Sequence, residues 1–529
     1  MKENHSNEEE AKMGLSEIMG REIGSVIADE VSPSFDTFRF KALANEYVYP
    51  GTLVATKIDE RTFLIGRISG SLEVNPHESP TRAKVREAME IEADYPEEKL
   101  STTIYRIYEA DIIEEGIIVT ENSEDEVRIS EPSDMAKAGT PVFIPGEEVV
   151  AKAMGFESDQ EKALCLGRTR ITALDIVELD GALRNNVLLR PEVIQRHIFI
   201  GGTTGSGKSY ATGIILEQVN KFNLPIVILD SQNEYIGVAE DLGGKVLRPG
   251  IDYTVRLSSL AEAEILGLVP TLRGTHGYEL LAFSFLGLKR EIHSGRISEF
   301  GLNELLSRMA SDGPTLDLRA PSIQIAIRRT QSSLERHRFL GERTNWIPLI
   351  TSNPVVNVDC GNLDQSQLQL VVGATLRELQ HLRVNGKIPP YVVVLDEAHL
   401  LVPEGDDSPC KQVIRENVRI GRHYGICMIL ITQSPVDIDK KTIRQCNTRF
   451  IFALEPDQLD SLRGIRADAT EDMLKRLPKM PRGSCLLSGT YETIKHAIPI
   501  KIRSDRKTRP GGVAPDIFKE VKEKWIKKR

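Results

Sequence analysis

The chain has 529 residues, of which 40% are hydrophobic and 27% charged, and its formal net charge is −10. This length allows two or three domains, each with its own buried core. No stretch approaches the roughly 18 uninterrupted apolar residues of a membrane span, so we expect no association with a membrane. The polar, acidic start lacks the basic-then-apolar layout of a signal peptide, which predicts a cytoplasmic protein.

The distribution of charged residues along the chain and the spacing of its cysteines further restrict the possible functions. Residues 1–130 hold 28 acidic and 14 basic side chains, whereas the remainder has a net charge of +4, so the negative total does not exclude nucleic-acid binding. The six cysteines are far apart and form no C-x-x-C pair. This pattern predicts reduced cysteines rather than a zinc site or a disulfide framework.

The first part of the chain reads as a short leader followed by β structure. Residues 1–20 are predicted to be a flexible leader. Short runs of alternating apolar and polar residues, separated by Gly, Pro or Asn, then predict a small antiparallel β-barrel over 21–180. A helix is predicted to interrupt it near Pro80–Tyr95, where helix-forming residues are frequent.

From about Val187 the pattern changes to an α/β domain, predicted over 181–500. Continuous apolar strands alternate with helices, which is typical of a parallel sheet covered on both faces. The predicted strands are Ile198–Ile200, Ile226–Leu229, Val355–Val358, Tyr391–Leu395, Cys427–Ile431 and Arg449–Ala453. Residues from about 260 to 345 are predicted to form a helical insertion.

A phosphate-binding loop follows the first of these strands. The segment 202–209 matches G-x-x-x-x-G-K-[ST] between an apolar strand and a helix, which is the context that the motif requires. Backbone N–H groups of such a loop converge on phosphates at a helix N-terminus. We expect Lys208 to bridge the β- and γ-phosphates of ATP and Ser209 to bind Mg²⁺. The predicted nucleotide-binding residues are Gly202, Thr203, Thr204, Gly205, Ser206, Gly207, Lys208, Ser209 and Tyr210.

Two further strand ends carry polar groups. Asp396 and Glu397 end a buried strand, so we expect Asp396 to hold Mg²⁺ and Glu397 to act as general base on the attacking water. Gln433 ends another strand and is predicted to contact the γ-phosphate. His399 is either a sensor of the nucleotide state or an ordinary residue at a helix start.

The candidate DNA-contacting residues are two groups of basic side chains. Lys440, Lys441 and Arg444 follow the strand that ends at Gln433, and Lys479 and Arg482 flank Pro481. Each group is either a pore loop or a solvated basic surface. No basic run is interleaved with aromatic residues, so any contact is expected to be with the DNA backbone and independent of sequence.

The motifs together resemble the HerA family of the FtsK/HerA superfamily, a group of RecA-like P-loop ATPases. The blocks that carry the resemblance are R-H-I-F-I-G-G-T-T-G-S-G-K-S (196–209), L-D-S-Q-N-E-Y (229–235), V-V-V-L-D-E-A-H (392–399), I-G-R-H-Y-G (420–425), I-T-Q-S-P (431–435) and Q-C-N-T (445–448). The resemblance implies a homohexamer that uses ATP to move along double-stranded DNA, with a NurA-type nuclease partner in DNA-end resection.

The resemblance also assigns individual residues and segments. Lys208 and Glu397 match the family's central catalytic positions, Arg422 its arginine finger, and Arg196 a basic residue that serves hydrolysis. The N-terminal part is similar to the family's HAS-barrel, and 501–529 to a C-terminal brace on a neighbouring subunit. Two departures exist: Ser434 replaces an arginine, and Ser231-Gln232-Asn233 replaces a D-x-H-G-type sequence.

Other functions were weighed against this one. A related ring ATPase of phage defence, conjugation or secretion would share the same ATP site. A GTPase switch is disfavoured because no N-K-x-D base-recognition motif follows the last strands. A scaffold that only binds ATP is disfavoured by the intact set of Lys208, Glu397 and Arg422.

Overall fold

A computed structural model describes residues 18–28, 32–44, 46–74, 105–121, 124–169, 186–342, 344–462, 464, 467–509 and 511. The chain divides into two compact units. Unit 1 comprises the chain up to Pro191 together with Thr448–Arg503, and unit 2 comprises Glu192–Asn447 together with the segment from Ser504 onward. Of the predicted leader over 1–20, residues 1–17 lie outside the described residues, as does the helix predicted near Pro80–Tyr95.

Unit 1 contains a closed antiparallel sheet. Strands β1 to β5 and β7 pair in a cycle, in the order β2-β1-β7-β3-β4-β5 with β5 returning to β2, and β6 extends β5. Their bounds are β1 Arg21–Ile27, β2 Thr37–Ala42, β3 Leu53–Lys57, β4 Thr62–Val74, β5 Tyr105–Glu121, β6 Glu124–Ser130 and β7 Pro141–Ile144. Alternate residues point inward, and Phe38, Phe40 and Tyr108 fill the core, where the Phe40 and Tyr108 rings stack at 5.4 Å.

Unit 1 also contains a second antiparallel group of strands, from two distant parts of the chain. Pairing runs β16-β17-β18-β8-β9. The bounds are β8 Leu164–Thr169, β9 Asn186–Leu189, β16 Thr448–Ile451, β17 Ser484–Gly489 and β18 Ile498–Ile502; the helices of unit 1 are α1 Glu147–Met154, α14 Leu459–Leu462 and α15 Glu471–Arg476. The compact units thus differ from the predicted single domain over 181–500, because β16 to β18 pair with one another and with β8.

Unit 2 holds a six-stranded parallel sheet in the order β12-β13-β11-β14-β15-β10. The strands are β10 Ile198–Gly201, β11 Ile226–Asp230, β12 Lys245–Leu247, β13 Val355–Asp359, β14 Tyr391–Leu395 and β15 Ile426–Thr432. Five of them correspond to strands that continuous apolar runs in the sequence predict. The side chains of these runs are buried in the structure. The predicted strand Arg449–Ala453 corresponds to β16, which pairs antiparallel with β17 instead.

Helices connect these strands. Those of unit 2 are α2 Glu192–Gln195, α3 Lys208–Lys221, α4 Ile236–Asp241, α5 Glu262–Leu268, α6 His276–His293, α7 Leu302–Asp312, α8 Ala320–Leu334, α9 Trp346–Ser352, α10 Gln365–Val384, α11 Ala398–Leu401, α12 Lys411–Tyr424 and α13 Lys440–Arg444. Helices α5 to α8 occupy the predicted helical insertion, and α9 begins directly after it. The Asp364 carboxylate accepts a hydrogen bond from the Gln367 N–H and caps α10.

Among the described residues, no helix is both long enough and apolar enough to cross a bilayer. All six cysteines of the chain are buried, and none forms a disulfide.

Candidate functional site

The phosphate-binding loop joins β10 to α3, as the motif predicts. Gly205 and Gly207 have φ angles of 78° and 114°, which side-chain-bearing residues rarely adopt, and Gly207 immediately precedes α3. The Lys208 Nζ lies 3.0 Å from the Thr203 carbonyl oxygen, to which the Ser206 hydroxyl also donates. Burial lowers the pKa of Lys208, and the carboxylates of Glu397, Glu234 and Asp396 oppose that shift.

Strand order brings the predicted strand ends together. Strand β15 lies between β10, which leads into the loop, and β14, which leads into Asp396. Gln433, just beyond β15, therefore reaches the loop: its Oε1 accepts a hydrogen bond of 2.7 Å from the Thr204 hydroxyl. The amide is thus positioned beside the phosphate cradle, at the carboxyl edge of the sheet where ligands of parallel sheets bind.

Asp396 and Glu397 are both buried, with exposed fractions of 3% and 6%. Burial, together with the carboxylates of Asp230, Glu397 and Glu234, raises the pKa of Asp396 well above its ordinary value. Glu397 has φ 47° and ψ 50°, a left-handed conformation that costs of order 1–3 kcal/mol for such a residue. Strain of this kind is concentrated at functional sites, which fits the predicted role of Glu397 as general base.

Two polar residues outside the predicted site residues hold these two acids. Ser231 donates to Asp396 Oδ2 at 3.0 Å, and the Gln232 side-chain amide donates to Glu397 Oε1 at 3.0 Å. These two residues follow β11, which is the direct neighbour of β14. The signal that identifies them is the alignment of the two strand ends, because a residue beyond one strand reaches the residue beyond the next.

A third acid, Glu234, is also not among the predicted site residues. Its Oε2 accepts a hydrogen bond from the Ser209 hydroxyl. The backbone N–H groups of Glu234 and Tyr235 donate to the buried carboxylate of Asp230, at 3.0 and 2.9 Å, which fixes the turn after β11. Burial raises the pKa of Asp230, although these N–H groups oppose the shift.

His399 lies between the acids and β15. Its Nδ1 is 3.2 Å from Glu397 Oε2 and 3.1 Å from the Thr432 hydroxyl. The approach to Glu397 does not have hydrogen-bond geometry, and Glu397 Oε2 is buried without a hydrogen-bond partner. The histidine is therefore adjacent to the base, a position compatible with either interpretation of His399.

The donor set around Ser209 fits Mg²⁺. The hydroxyl of Ser209 and the carboxylates of Asp396 and Glu234 supply the hard oxygen atoms that this ion prefers. No group of three or more His, Cys, Asp or Glu side chains among the described residues is arranged to hold a metal.

The two predicted arginines lie around β10. Arg422 is exposed in the last turn of α12, which ends at Gly425 with φ 70°. Arg196 is half-buried, and its carbonyl accepts a hydrogen bond from the Asn447 N–H. The intervening His197 is buried with φ 61°, and its Nδ1 accepts from the Met428 N–H. Burial and the charge of Arg422 lower the pKa of His197 to about 4.

The candidate DNA contacts are at the surface. Lys441 and Arg444 are exposed on α13, and Lys440 is half-buried at its start. Lys479 and Arg482 are exposed in unit 1. Asp439 caps α13 by accepting from the Thr442 N–H, and the same carboxylate forms a two-bond ion pair with Arg415 at 2.6 and 3.1 Å.

Comparison with known proteins agrees with these features. Residues 181–379 match the family model "Helicase HerA, central domain", and 378–503 match the model "AAA-like domain". This chain carries a HerA-type P-loop ATPase region. The fold of that region is mixed α/β, and the loop 202–209, the Asp396–Glu397 pair and Gln433 lie at the carboxyl edge of its parallel sheet.

Curated relatives of this chain are distant in sequence. The DNA double-strand break repair helicase HerA of Pyrococcus furiosus is 22% identical over 395 residues, which are 62% of this chain and 71% of that protein. HerA of Sulfolobus acidocaldarius is 24% identical, with 70% and 75% covered. Among solved structures, VirB4 of Thermoanaerobacter pseudethanolicus is 16% identical, with a TM-score of 0.47 and coverage of 65% and 98%.

Proposed function

We propose that this HerA-type chain is an ATP-driven, homohexameric double-stranded DNA translocase and helicase. It would act in the cytoplasm with a NurA-type nuclease in DNA-end resection during double-strand break repair. The observation that carries the proposal is the convergence of Lys208, Gln433 and the Asp396–Glu397 pair at one edge of the sheet. The names of the HerA relatives, which are break-repair helicases, support the DNA substrate.

The geometry supports a separate role for each of these residues in ATP hydrolysis. Lys208 and the loop bind the phosphates, and Glu397 accepts a proton from the attacking water while Gln433 contacts the γ-phosphate. Ser209 and Asp396 would hold Mg²⁺, which neutralises charge on the phosphates when bound. Arg422 and Arg196 would stabilise the charge that develops in the transition state.

The DNA contact is proposed to involve α13. Lys440, Lys441 and Arg444 share this short helix, which begins seven residues beyond Gln433. Contacts of lysine and arginine with DNA phosphates release counterions and do not select a sequence. The closed sheet of unit 1 is proposed to be the family's HAS-barrel, and the segment 501–529 to include its C-terminal brace.

A second candidate is a related ring ATPase of phage defence, conjugation or secretion. Similarity also extends to a phage protein: Protein P9 of Pseudoalteromonas phage PM2 is 32% identical over 116 residues, which are 21% of this chain. Likeness to HerA proteins extends over a much larger share, up to 75% of the chain for HerA of Sulfurisphaera tokodaii. The repair helicase is therefore the preferred proposal.

The proposal is tested by ATPase assays with and without double-stranded DNA of random sequence. We expect DNA to stimulate turnover, and DNA affinity to fall steeply between low and moderate salt, whatever the sequence. Glu397→Gln should bind ATP and DNA but lose turnover, because it keeps the shape of the side chain without the base. Lys208→Ala should instead lose ATP binding.

Two results would contradict this function. One is an ATPase rate that double-stranded DNA leaves unchanged, with or without a NurA-type nuclease. The other is a salt-insensitive affinity or a strong preference for one short DNA sequence. Equal loss of ATP affinity in Lys208→Ala and Glu397→Gln would contradict the assigned roles of those residues alone.

A further inference from the structure

A segment near the C-terminus lies along the helix that follows the phosphate loop. We call Ser504–Arg509 the strap. The Tyr210 hydroxyl donates to the Ser504 carbonyl at 2.7 Å and accepts from the Arg506 N–H at 3.2 Å. Farther along α3, the Glu217 carboxylate accepts from the backbone N–H groups of Lys507 and Thr508, at 2.9 and 2.6 Å. The strap is therefore fixed to α3 at two points, about two helical turns apart.

The Arg506 side chain connects the strap to the first turn of α3. Its Nη1 donates to the Ser209 carbonyl at 3.1 Å, its Nε to the Thr508 hydroxyl at 2.9 Å, and its Nη2 to the Arg509 carbonyl at 2.9 Å. All three guanidinium nitrogens thus have partners. Only a planar group with several fixed donors can make these bonds together, and a lysine ammonium is not planar.

Gly213 makes room for this guanidinium. A Cβ atom at Gly213 would lie 2.3 Å from the Arg506 Cζ, which is far inside contact distance. Alanine has the higher helix propensity, so glycine here is unfavourable for α3 itself. The close approach of Arg506 gives the glycine a physical reason.

The chain just beyond the strap reaches a second residue of the site. A Cβ atom at Gly511 would lie 1.9 Å from the Glu234 carbonyl oxygen, so Gly511 packs directly on that main chain. The Glu234 side chain accepts a hydrogen bond from the Ser209 hydroxyl. Arg506 and Gly511 therefore contact the main chains of the two residues that form this bond.

We propose that Arg506 is a positioning residue for magnesium-dependent nucleotide binding, acting through Ser209. The inference rests on the proposed function only for the ATP site. By holding the Ser209 carbonyl, Arg506 fixes the first turn of α3 and with it the direction of the Ser209 hydroxyl. Partners that orient a metal-binding group typically change metal affinity about 10–100-fold when they are removed.

The test compares Arg506→Ala and Gly213→Ala with the wild-type protein. Binding of a fluorescent ATP analogue is titrated without DNA, once with Mg²⁺ and once with EDTA. We expect both variants to bind the analogue about tenfold more weakly than wild type in Mg²⁺ and equally well in EDTA. Gly213→Ala displaces the guanidinium but favours the helix, so its effect cannot arise from melting of α3.

Two further variants control for charge and for geometry. Arg509→Ala removes another arginine of the strap, whose side chain pairs with Glu240 and Asp241 on α4, and should bind as wild type does. Arg506→Lys keeps the charge without the planar fork and should resemble Arg506→Ala.

Several outcomes would overturn the proposal. They are wild-type affinity in Mg²⁺ for both Arg506→Ala and Gly213→Ala, an equal loss with and without Mg²⁺, and a wild-type affinity that Mg²⁺ does not alter. Failure of DNA to stimulate turnover would instead contradict the translocase proposal and leave this binding result standing. The two proposals are therefore distinguishable.

Discussion

At the scale of single residues, the acid pair is held by a matching pair of polar residues. Ser231 and Gln232, consecutive after β11, donate to Asp396 and Glu397, consecutive after β14. A carboxylate that acts as base must point one oxygen at the water it activates. Because Gln232 occupies Glu397 Oε1, it leaves Oε2 as the oxygen without a hydrogen-bond partner.

This contact predicts that Gln232→Ala lowers kcat of ATP hydrolysis. Glu397 would lose its orientation, and since general-base catalysis is worth about 10²–10⁴-fold, we expect a loss of roughly tenfold or more. ATP affinity should change little, because Gln232 contacts the base and not the loop. The measurement is steady-state kinetics beside Gln412→Ala, which removes an exposed glutamine of α12. An unchanged kcat, or a loss confined to KM, would refute the role.

The sequence identifies the residues of this site that belong to motifs, and misses those that depend on pairing. Lys208, Asp396 and Glu397 are recognisable because each has a fixed place after a buried strand. Gln232 reads only as a departure from a family pattern. Its role depends on the register of β11 against β14, where Leu229 faces Leu395, and no local pattern encodes that register.

At the scale of elements, helix α12 carries arginines that share one face but differ in their partners. Arg415, Arg419 and Arg422 are exposed at helical spacing, a pattern that on sequence alone usually indicates a solvated basic face. Arg415 instead pairs with Asp439 and so supports the cap of α13. Arg422, in the last turn, remains the candidate for a finger directed toward another subunit.

We predict that Arg422 acts in trans. Arg422→Ala and Glu397→Gln subunits, each nearly inactive alone, should regain part of the ATPase activity when mixed, because some interfaces then combine an intact Glu397 with an intact Arg422. A finger of this kind is worth about 10³-fold or more in rate. Arg415→Ala mixed with Glu397→Gln is the control, since Arg415 is already paired with Asp439 within its own chain.

Action in trans would be contradicted if rings shown to contain both variants recovered no ATPase activity, while a monomeric wild-type form hydrolysed ATP at the full rate. Arg422 would then act within its own subunit or have no role in hydrolysis.

Prediction also differs between the two kinds of sheet. The parallel strands β11 and β14 are apolar except for Asp230 at the end of β11, and turns bound them, so composition alone reveals them. Strands β17 and β18 were not predicted, although they too are mostly buried. They lie after the last motif, and β18 pairs with β8, more than 300 residues earlier, while β17 pairs with β18. Such long-range antiparallel pairing leaves no local signature.

At the scale of the whole molecule, unit 1 joins distant segments through one ionic cluster. The buried Arg67 of β4 donates to the Asp468 carboxylate at 2.8 Å and to two main-chain carbonyls. His496 lies between Asp468 and Glu114 of β5, at 3.1 and 3.2 Å. The cluster thus ties the closed sheet to residues more than 380 positions away in the chain.

The cluster predicts that unit 1 loses stability at low pH, which we call the acid limb, and at high pH, which we call the alkaline limb. Burial would raise the pKa of Asp468, but the hydrogen bond from His496 and the charge of Arg67 outweigh it and hold that pKa at about 2. Stability from Asp468 is therefore present above its ordinary value of 3.8 and lost as pH falls toward 2. Burial lowers the pKa of His496, but hydrogen bonds to Asp468 and Glu114 raise it overall.

Stability from His496 is accordingly full below its ordinary pKa of 6.5 and lost as pH rises through its higher folded value. Thermal unfolding followed from pH 3 to 9 should show the alkaline loss in wild type but not in His496→Gln. Asp468→Asn should weaken both limbs, because it removes the shared partner. A His496→Gln profile that matches wild type would show that the histidine does not carry this dependence.

The burial of all six cysteines predicts that the folded chain reacts only slowly with thiol reagents. Burial raises the pKa of Cys410 and Cys427 to about 12, and reagents such as maleimides attack the thiolate. A single cysteine introduced at an exposed position, for example Lys245→Cys, would then be the only site to take up a fluorophore. Dye-labelled subunits prepared in this way would report assembly and ATP-driven motion by energy transfer, without first removing any native cysteine.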